Sequence, residues 1–253
     1  MQEAYVHHTT VDGIATIEFY HPQKNSLPGD LLRELAATIR KVGADANTKV
    51  IVLRSGGEKV FCSGASFDEL IAIENEAQGL RFFSGFAEVI NAMRTVPQFI
   101  IARIHGKCVG GGVGVAAAAD YAIAVQGADV KLSELAVGIG PFVVGPAVER
   151  KLGVSAFSQL AIDASMWRPA EWAKQKSLFA ELHDTAEGMD DSINRLATTL
   201  AKSHPAAMQE MKQIFWKGTE DWDSLLLERA AISGRLILSE FSKNFIAAFK
   251  KKA

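Results

Sequence analysis

His105-Gly106-Lys107-Cys108-Val109-Gly110-Gly111-Gly112-Val113-Gly114 is the stretch that decides how this 253-residue chain is read. Three consecutive glycines beside an apolar run leave backbone N–H groups that no side chain screens. An N–H presented this way at a helix start can bind a developing oxyanion. A second bare turn lies upstream, where Val60-Phe61-Cys62-Ser63-Gly64-Ala65-Ser66-Phe67 leaves an Ile/Val-rich strand through Gly64. Glu134 follows within the next helix-strand unit. Two strand-to-helix turns with exposed backbone and one nearby carboxylate suit chemistry at a carbonyl, without a metal or a nucleophilic side chain. Taken alone, the glycines fit equally well a tight turn that lets a strand pack on a helix. An isolated glutamate is by default a helix cap or a surface carboxylate.

Strands and helices alternate on both sides of this stretch. Residues 99–104 read as a strand, preceded by a helix over 80–96 that turns Phe82, Phe83, Phe86, Val89, Ile90 and Met93 inward and stops at Pro97. Downstream, a helix through Ala119 leads to a strand at 120–125. Nearer the start, Asp12-Gly13 between two β-patterned runs is the strongest hairpin signal in the chain. Pro28 opens a helix whose Leu31, Leu32, Leu35, Ile39 and Val42 share one face. Val50-Ile51-Val52-Leu53 is a continuous apolar run, the sign of a strand covered on both sides. The alternation from residue 14 to about 155 predicts a layered α/β body. Beyond Gly153 strand signals nearly vanish, and 155–162, 169–175, 189–202, 205–216 and 225–238 read as helices. This divides the chain into an α/β core over 1–195 and a helical region over 196–253, with no Gly/Ser linker between them.

Composition narrows the class. Apolar residues are 48% and charged residues 22%, enough for a sizeable core and too apolar for disorder. A net charge of -2 gives no electrostatic argument for nucleic acid or a membrane surface. The longest apolar stretch, 108–119, falls far short of the ~20 residues that span a bilayer. No signal-peptide pattern is read at the start, and the two cysteines, Cys62 and Cys108, make no disulfide framework. The expectation is a cytoplasmic protein.

Several chemistries are struck out. Gly110, Gly112 and Gly114 lack dinucleotide-fingerprint spacing. Gly140 to Gly145 copies half of a P-loop, but Pro146-Ala147 stand where Lys-Ser/Thr belong. There is no H-E-x-x-H, C-x-x-C or G-x-S-x-G. The six histidines are scattered and read as surface or satisfied core.

Four segments in register then match a known pattern: His21-Pro22-Gln23-Lys24-Asn25-Ser26-Leu27, Phe61 to Phe67, His105 to Gly112, and Ser133-Glu134-Leu135-Ala136-Val137-Gly138. Over nearly its whole length the chain resembles the enoyl-CoA hydratase/isomerase (crotonase) family. The resemblance implies an α/β crotonase-like core of repeated ββα units, a C-terminal α-helical trimerisation region, and a coenzyme A thioester substrate with no separate cofactor. It carries the oxyanion donors over to the backbone N–H of Ala65 and of Gly111, and the catalytic carboxylate to Glu134. It places the backbone around Ser63, Ala65 and Phe67 at the adenine edge of coenzyme A, and counts Gly110 among the substrate-binding residues. It leaves Lys24, or Lys250, Lys251 and Lys252, for the coenzyme A phosphates. Phe245 and Phe249 can cover the adenine, although core packing also explains them.

The departure matters equally. Family hydratases of the two-glutamate type carry a second Glu where this chain has Gly114. Asp120, Asp129 and Glu149 read as structural, turn and exposed, and the Gly138 to Val144 segment offers no other acid. One base suits moving a proton between two carbons, which is isomerisation. It also suits hydration when Glu134 acts as both base and acid. The Gly-Gly-Gly-Val-Gly and Ser-Glu-Leu…Phe-Val-Val pairing is similar to bacterial methylglutaconyl-CoA hydratases. Alternatives stay open: a non-catalytic acyl-CoA-binding member, or a hydrolase or lyase using the same oxyanion hole. Apolar positions crowd the helices after residue 155, among them Phe157, Trp167, Phe179, Phe215, Leu227 and Phe241, more than one helix stripe buries. The expected assembly is a homotrimer or a hexamer made of two trimers.

Overall fold

A computed structural model describes residues 3–250, the side chains of Phe249 and Lys250 excepted. The chain opens with a hairpin, Tyr5–Val11 (β1) and Ile14–Tyr20 (β2), turned at Asp12 and Gly13. Both turn residues have positive φ, 51° and 80°, as the tight hairpin turn demands. The short strand Ser26–Leu27 (β3) follows, and then Gly29–Ala44 (α1), for which Pro28 is the N-cap.

From here one unit is built three times. A long strand is followed by a short strand and then by helix. The first unit is Val50–Ser55 (β4), Val60–Cys62 (β5), Gly64–Ala65 (β6), Phe67–Ala72 (α2) and Glu76–Thr95 (α3). The second is Phe99–Ile104 (β7), Lys107–Val109 (β8) and Gly111–Ala118 (α4). The third is Tyr121–Val125 (β9), Val130–Lys131 (β10) and Glu134–Val137 (α5). The remainder is Gly145–Ile162 (α6), Ala170–Gln175 (α7), Glu181–His183 (β11), Ala186–Ala201 (α8), Pro205–Phe215 (α9), Trp222–Leu236 (α10) and Glu240–Lys250 (α11).

The long strands form one sheet in the order β1-β2-β4-β7-β9-β11, parallel except for the β1–β2 hairpin. The short strands form a second, all-parallel sheet in the order β10-β8-β5. Because each unit contributes one strand to each sheet, the ends of the three short strands come together side by side. The apolar run Val50 to Leu53 is covered on both faces. Ile51 and Leu53 join the main core with α1 and α3, while Val50 and Val52 pack with Met189, Ile193 and Ala197 of α8. α10 lies across α3 at a bare crossing, since a Cβ on Gly79 would stand 2.6 Å from the Cα of Gly234.

The helices expected after Gly153 are present, but β11 is not among the expected elements. Its three residues give no periodicity, and it exists because β9 leaves an open sheet edge whose Ile123, Ala124 and Val125 it pairs. The main helix of α6 also begins well before residue 155, with Gly153 (φ 74°) breaking it internally. Among the described residues no helix is long and apolar enough to cross a membrane.

Candidate active site

The three short strands each end in one element of the site. After β5 the chain turns through Ser63 and Gly64, which has φ +84° and lies so close to β8 that a Cβ would stand 2.8 Å from Val109 O. No L side chain fits there. β6 then pairs with β3, and the Ser66 N–H donates to Leu27 O at 3.3 Å. Successive N–H groups along an extended segment point to opposite sides, so the Ala65 N–H faces away from β3. Ala65 lines a cavity of about 60 Å³.

β8 ends at Gly110, the N-cap of α4, with φ 53°. Gly110 N–H is taken up by Lys131 O at 2.8 Å. Gly111 is the first residue of α4, so no carbonyl within the helix lies four residues before its N–H. Gly111 also lines the cavity. A Cβ on Gly111 would come within 2.1 Å of Phe86 Cε1 on α3. The glycine is therefore required first by the Phe86 ring.

β10 leads to Ser133 and then to Glu134, the first residue of α5. Residue 134 keeps some exposure overall, but its Oε2 is shut off from solvent without a hydrogen-bond partner. The carboxylate lies over bare Gly110, where a Cβ would be 3.0 Å from Oε1. Burial pushes the Glu134 carboxyl up from its ordinary value to about 7. Burial outweighs a backbone hydrogen bond at Glu134 itself, which favours the charged form, so the group titrates where a general base or acid works best. The α5 turn ends at Gly138 (φ 92°), against which Phe241 and Ser242 of α11 press.

Most of the rest of the wall is apolar, from Leu70, Phe83, Phe86, Val137, Ile139, Phe142, Val143 and Val144, with Phe67 and Ser63 at the first turn and Ser133 and Ser233 as further polar positions. Of the positions singled out from the sequence, Ser63, Ala65, Phe67, Gly110, Gly111 and Glu134 thus meet at one cavity. Lys24 does not line it; the residue is exposed in a turn with φ 55°. Lys251 and Lys252 lie outside the described residues, as do the side chains of Lys250 and Phe249. Phe245 is partly buried against the core.

Other expectations divide. Asp120 is structural, since its carboxylate accepts from Ile100 N–H at 2.8 Å and Trp216 Nε1 at 2.9 Å. Glu149 is exposed. His105 is not a satisfied core histidine: both ring nitrogens are buried without a partner, and burial with Arg103 and Arg54 nearby pushes it down to about 4. Sequence reading passed over Asn25, whose Nδ2 donates to Gly56 O at 2.7 Å and Val60 O at 2.9 Å. That side chain braces the strand leading into the first turn. Its φ of 54° is one that Asn tolerates better than most residues, and in the sequence it shows only as a member of the segment His21 to Leu27.

The family model described as enoyl-CoA hydratase/isomerase matches residues 9–245. Methylglutaconyl-CoA hydratase, mitochondrial, of Mus musculus is 30% identical over 236 residues, covering 90% of this chain and 74% of that protein. Short-chain-enoyl-CoA hydratase of Clostridium acetobutylicum is 26% identical over 242 residues, 94% of this chain and 92% of its own. Among solved structures, an enoyl-CoA hydratase from Bacillus halodurans superposes with a TM-score of 0.89 at 20% identity, covering 96% of this chain and 99% of that one. Enoyl-CoA hydratase from Bacillus anthracis gives 0.77 at 27% identity, with 99% and 97% covered. The fold is the crotonase fold, with its ββα units and C-terminal helices.

Proposed function

This chain belongs to the enoyl-CoA hydratase/isomerase family, and on that premise we propose that it hydrates or isomerises an enoyl-CoA thioester through a stabilised enolate. The Ala65 and Gly111 N–H groups receive the thioester oxygen, and Glu134 moves the proton. The observation that carries this reading is the Glu134 carboxyl, which lines the same cavity as both turns with its Oε2 buried without a partner and burial pushing it up to about 7. A thioester α-proton is too weakly acidic to leave at pH 7 unless the enolate oxygen is held. Each preorganised N–H is worth ~3 kcal/mol toward that. The coenzyme A portion supplies binding, with the backbone around Ser63 and Phe67 of the first turn meeting the adenine edge. Among the described residues no Lys or Arg lines the cavity, so the coenzyme A phosphates are met outside it. The buried free cysteines suit a reducing compartment such as the cytoplasm.

The decisive experiment is a panel of acyl-CoA thioesters, including short-chain enoyl-CoA and methylglutaconyl-CoA, with mass spectrometry of the products. Gain of water or movement of the double bond supports the proposal. Loss of the thioester, or tight binding with no product, replaces it with a hydrolase or a binding protein.

We also propose a homotrimer or a pair of trimers. Many apolar residues of the C-terminal half are satisfied within the chain: Leu160, Phe179, Trp216 and Leu226 are buried. The unsatisfied set is smaller, with Ile162, Met166, Ile214, Phe215, Leu227 and Phe241 exposed. Such surface is what subunit contacts cover. Light scattering is expected to give a multiple of three times 27.3 kDa; a fully active monomer at micromolar concentration overturns the assignment.

A further inference from the structure

Val144 occupies an unusual place in the cavity wall. The position that a Cβ on Gly114 of α4 would take is already filled, with Val144 Cγ1 only 2.4 Å away. Val144 also lines the cavity, whereas Gly114 does not. α4 meets the cavity through Gly111 at its start, and one turn further along, at Gly114, the Val144 side chain takes the space beside the helix. It belongs to a wall, Ile139 to Val144, that offers no polar side chain. The hydroxyls that reach the cavity, on Ser63, Ser133 and Ser233, come from other elements. A resident water needs two to four polar partners, and the side chains of this wall supply none.

We infer that Val144 is a specificity-determining residue, one that keeps water off the α4 side of the substrate and so favours double-bond migration over hydration. The inference rests on the proposed enolate chemistry. In migration from a 3-enoyl thioester, Glu134 takes the C2 proton, and the electron pair passes through the dienolate with its oxygen on the two N–H groups. The same carboxyl then returns the proton to C4 as the C3–C4 double bond becomes C2–C3. Nothing is gained or lost, and no water is needed. In hydration, a water must sit beside C3, give its proton to Glu134 and add its hydroxide to C3. Glu134 then protonates C2. The first route uses what the cavity holds; the second needs a site for water that Val144 fills.

The test compares two initial rates for each protein: 3-enoyl-CoA to 2-enoyl-CoA, and 2-enoyl-CoA to 3-hydroxyacyl-CoA with oxygen from labelled water. Val144→Ala opens space beside Gly114. Val144→Thr keeps the shape and adds a hydroxyl, so it reports even where the smaller variant fails to fold. Val144→Thr is expected to raise the ratio of hydration to migration roughly tenfold, the rate equivalent of one added hydrogen-bond partner for water, and Val144→Ala, which adds room without a partner, is expected to raise it by less. A ratio unchanged in both variants, with thioester affinity retained, overturns the inference. Deuterium exchange at C2 of a saturated acyl-CoA in heavy water keeps the two readings apart. Exchange that depends on Glu134 upholds the enolate chemistry whatever the ratio does, and its absence in the parent protein sinks both.

Discussion

Glu134 and Lys212 are both ionisable groups buried in the same chain, and they are treated in opposite ways. Lys212 of α9 donates to Met93 O at 2.9 Å and Gln98 O at 2.6 Å, and pairs with Asp120 at 3.0 Å. Burial pushes its ammonium below the ordinary lysine range, with the Asp120 carboxylate holding against that shift. The cluster ties α9 to the end of α3 and to the start of β7. Glu134 has no counter-ion, and its Oε2 has no donor. A buried charge that is fully paired serves the fold; one left unpaired costs stability and gains reactivity. The difference lies in the partners supplied, since both groups are removed from water.

The sharpest way to break this contrast is Glu134→Gln, which removes the titrating group and keeps the shape. Turnover on the preferred enoyl-CoA is expected to fall by ~10²–10⁴-fold, the usual share of general acid–base catalysis, with thioester binding retained. Steady-state kinetics beside calorimetric affinity checks it, and near-parental rates would move the chemistry elsewhere.

Lys212→Met examines the other side. It leaves Asp120 and two carbonyls without their cation, and breaking a buried pair from one side costs about 3–5 kcal/mol. Denaturant unfolding should show that loss, while the kcat of the protein that remains folded stays close to the parental value. A variant as stable as the parent would mean that the pair adds nothing to the fold.

The third prediction concerns pH. Glu134 titrates at about 7 in the folded chain against an ordinary 4.5, so the folded state binds the proton more tightly than the unfolded one. Its contribution is therefore fully present below pH 4.5 and is lost as pH rises to about 7, by up to ~3 kcal/mol. Glu134→Gln should abolish this slope in a stability-versus-pH series. Enzyme activity should run the other way, rising through pH 7 as the carboxylate forms.

The smallest effect is expected at Gly111→Ala. The new Cβ must displace Phe86 from within 2.1 Å, a repacking worth about 1–3 kcal/mol. Thermal unfolding should register it even without ligand. An unchanged Tm would show that the ring yields freely and that the glycine serves the ligand alone.

The hairpin at Asp12-Gly13, the doubly covered run from Val50 and the helices led by Pro28 and Pro205 were legible because each is set by neighbours in sequence. The short strands were not. β10 has two residues and β11 three, too few for any period to show, and they form only because longer strands present open edges. Lys212 shows the same limit. On sequence it is one more lysine on an amphipathic helix, and only packing against Asp120 and two carbonyls gives it a role.

By itself, the sequence determined the alternation of strands and helices, the glycine turns with their bare N–H groups, and the single glutamate available to them, because local backbone freedom and residue chemistry are properties of neighbouring positions. Tertiary structure decided that three short strands end at one cavity, that the Glu134 Oε2 is buried there without a partner, that a Cβ at 111 would meet Phe86, and that Val144 fills the space beside Gly114. These are contacts between segments far apart in the chain. Which neighbour a group meets, and how much water is left beside it, is settled only when those segments pack.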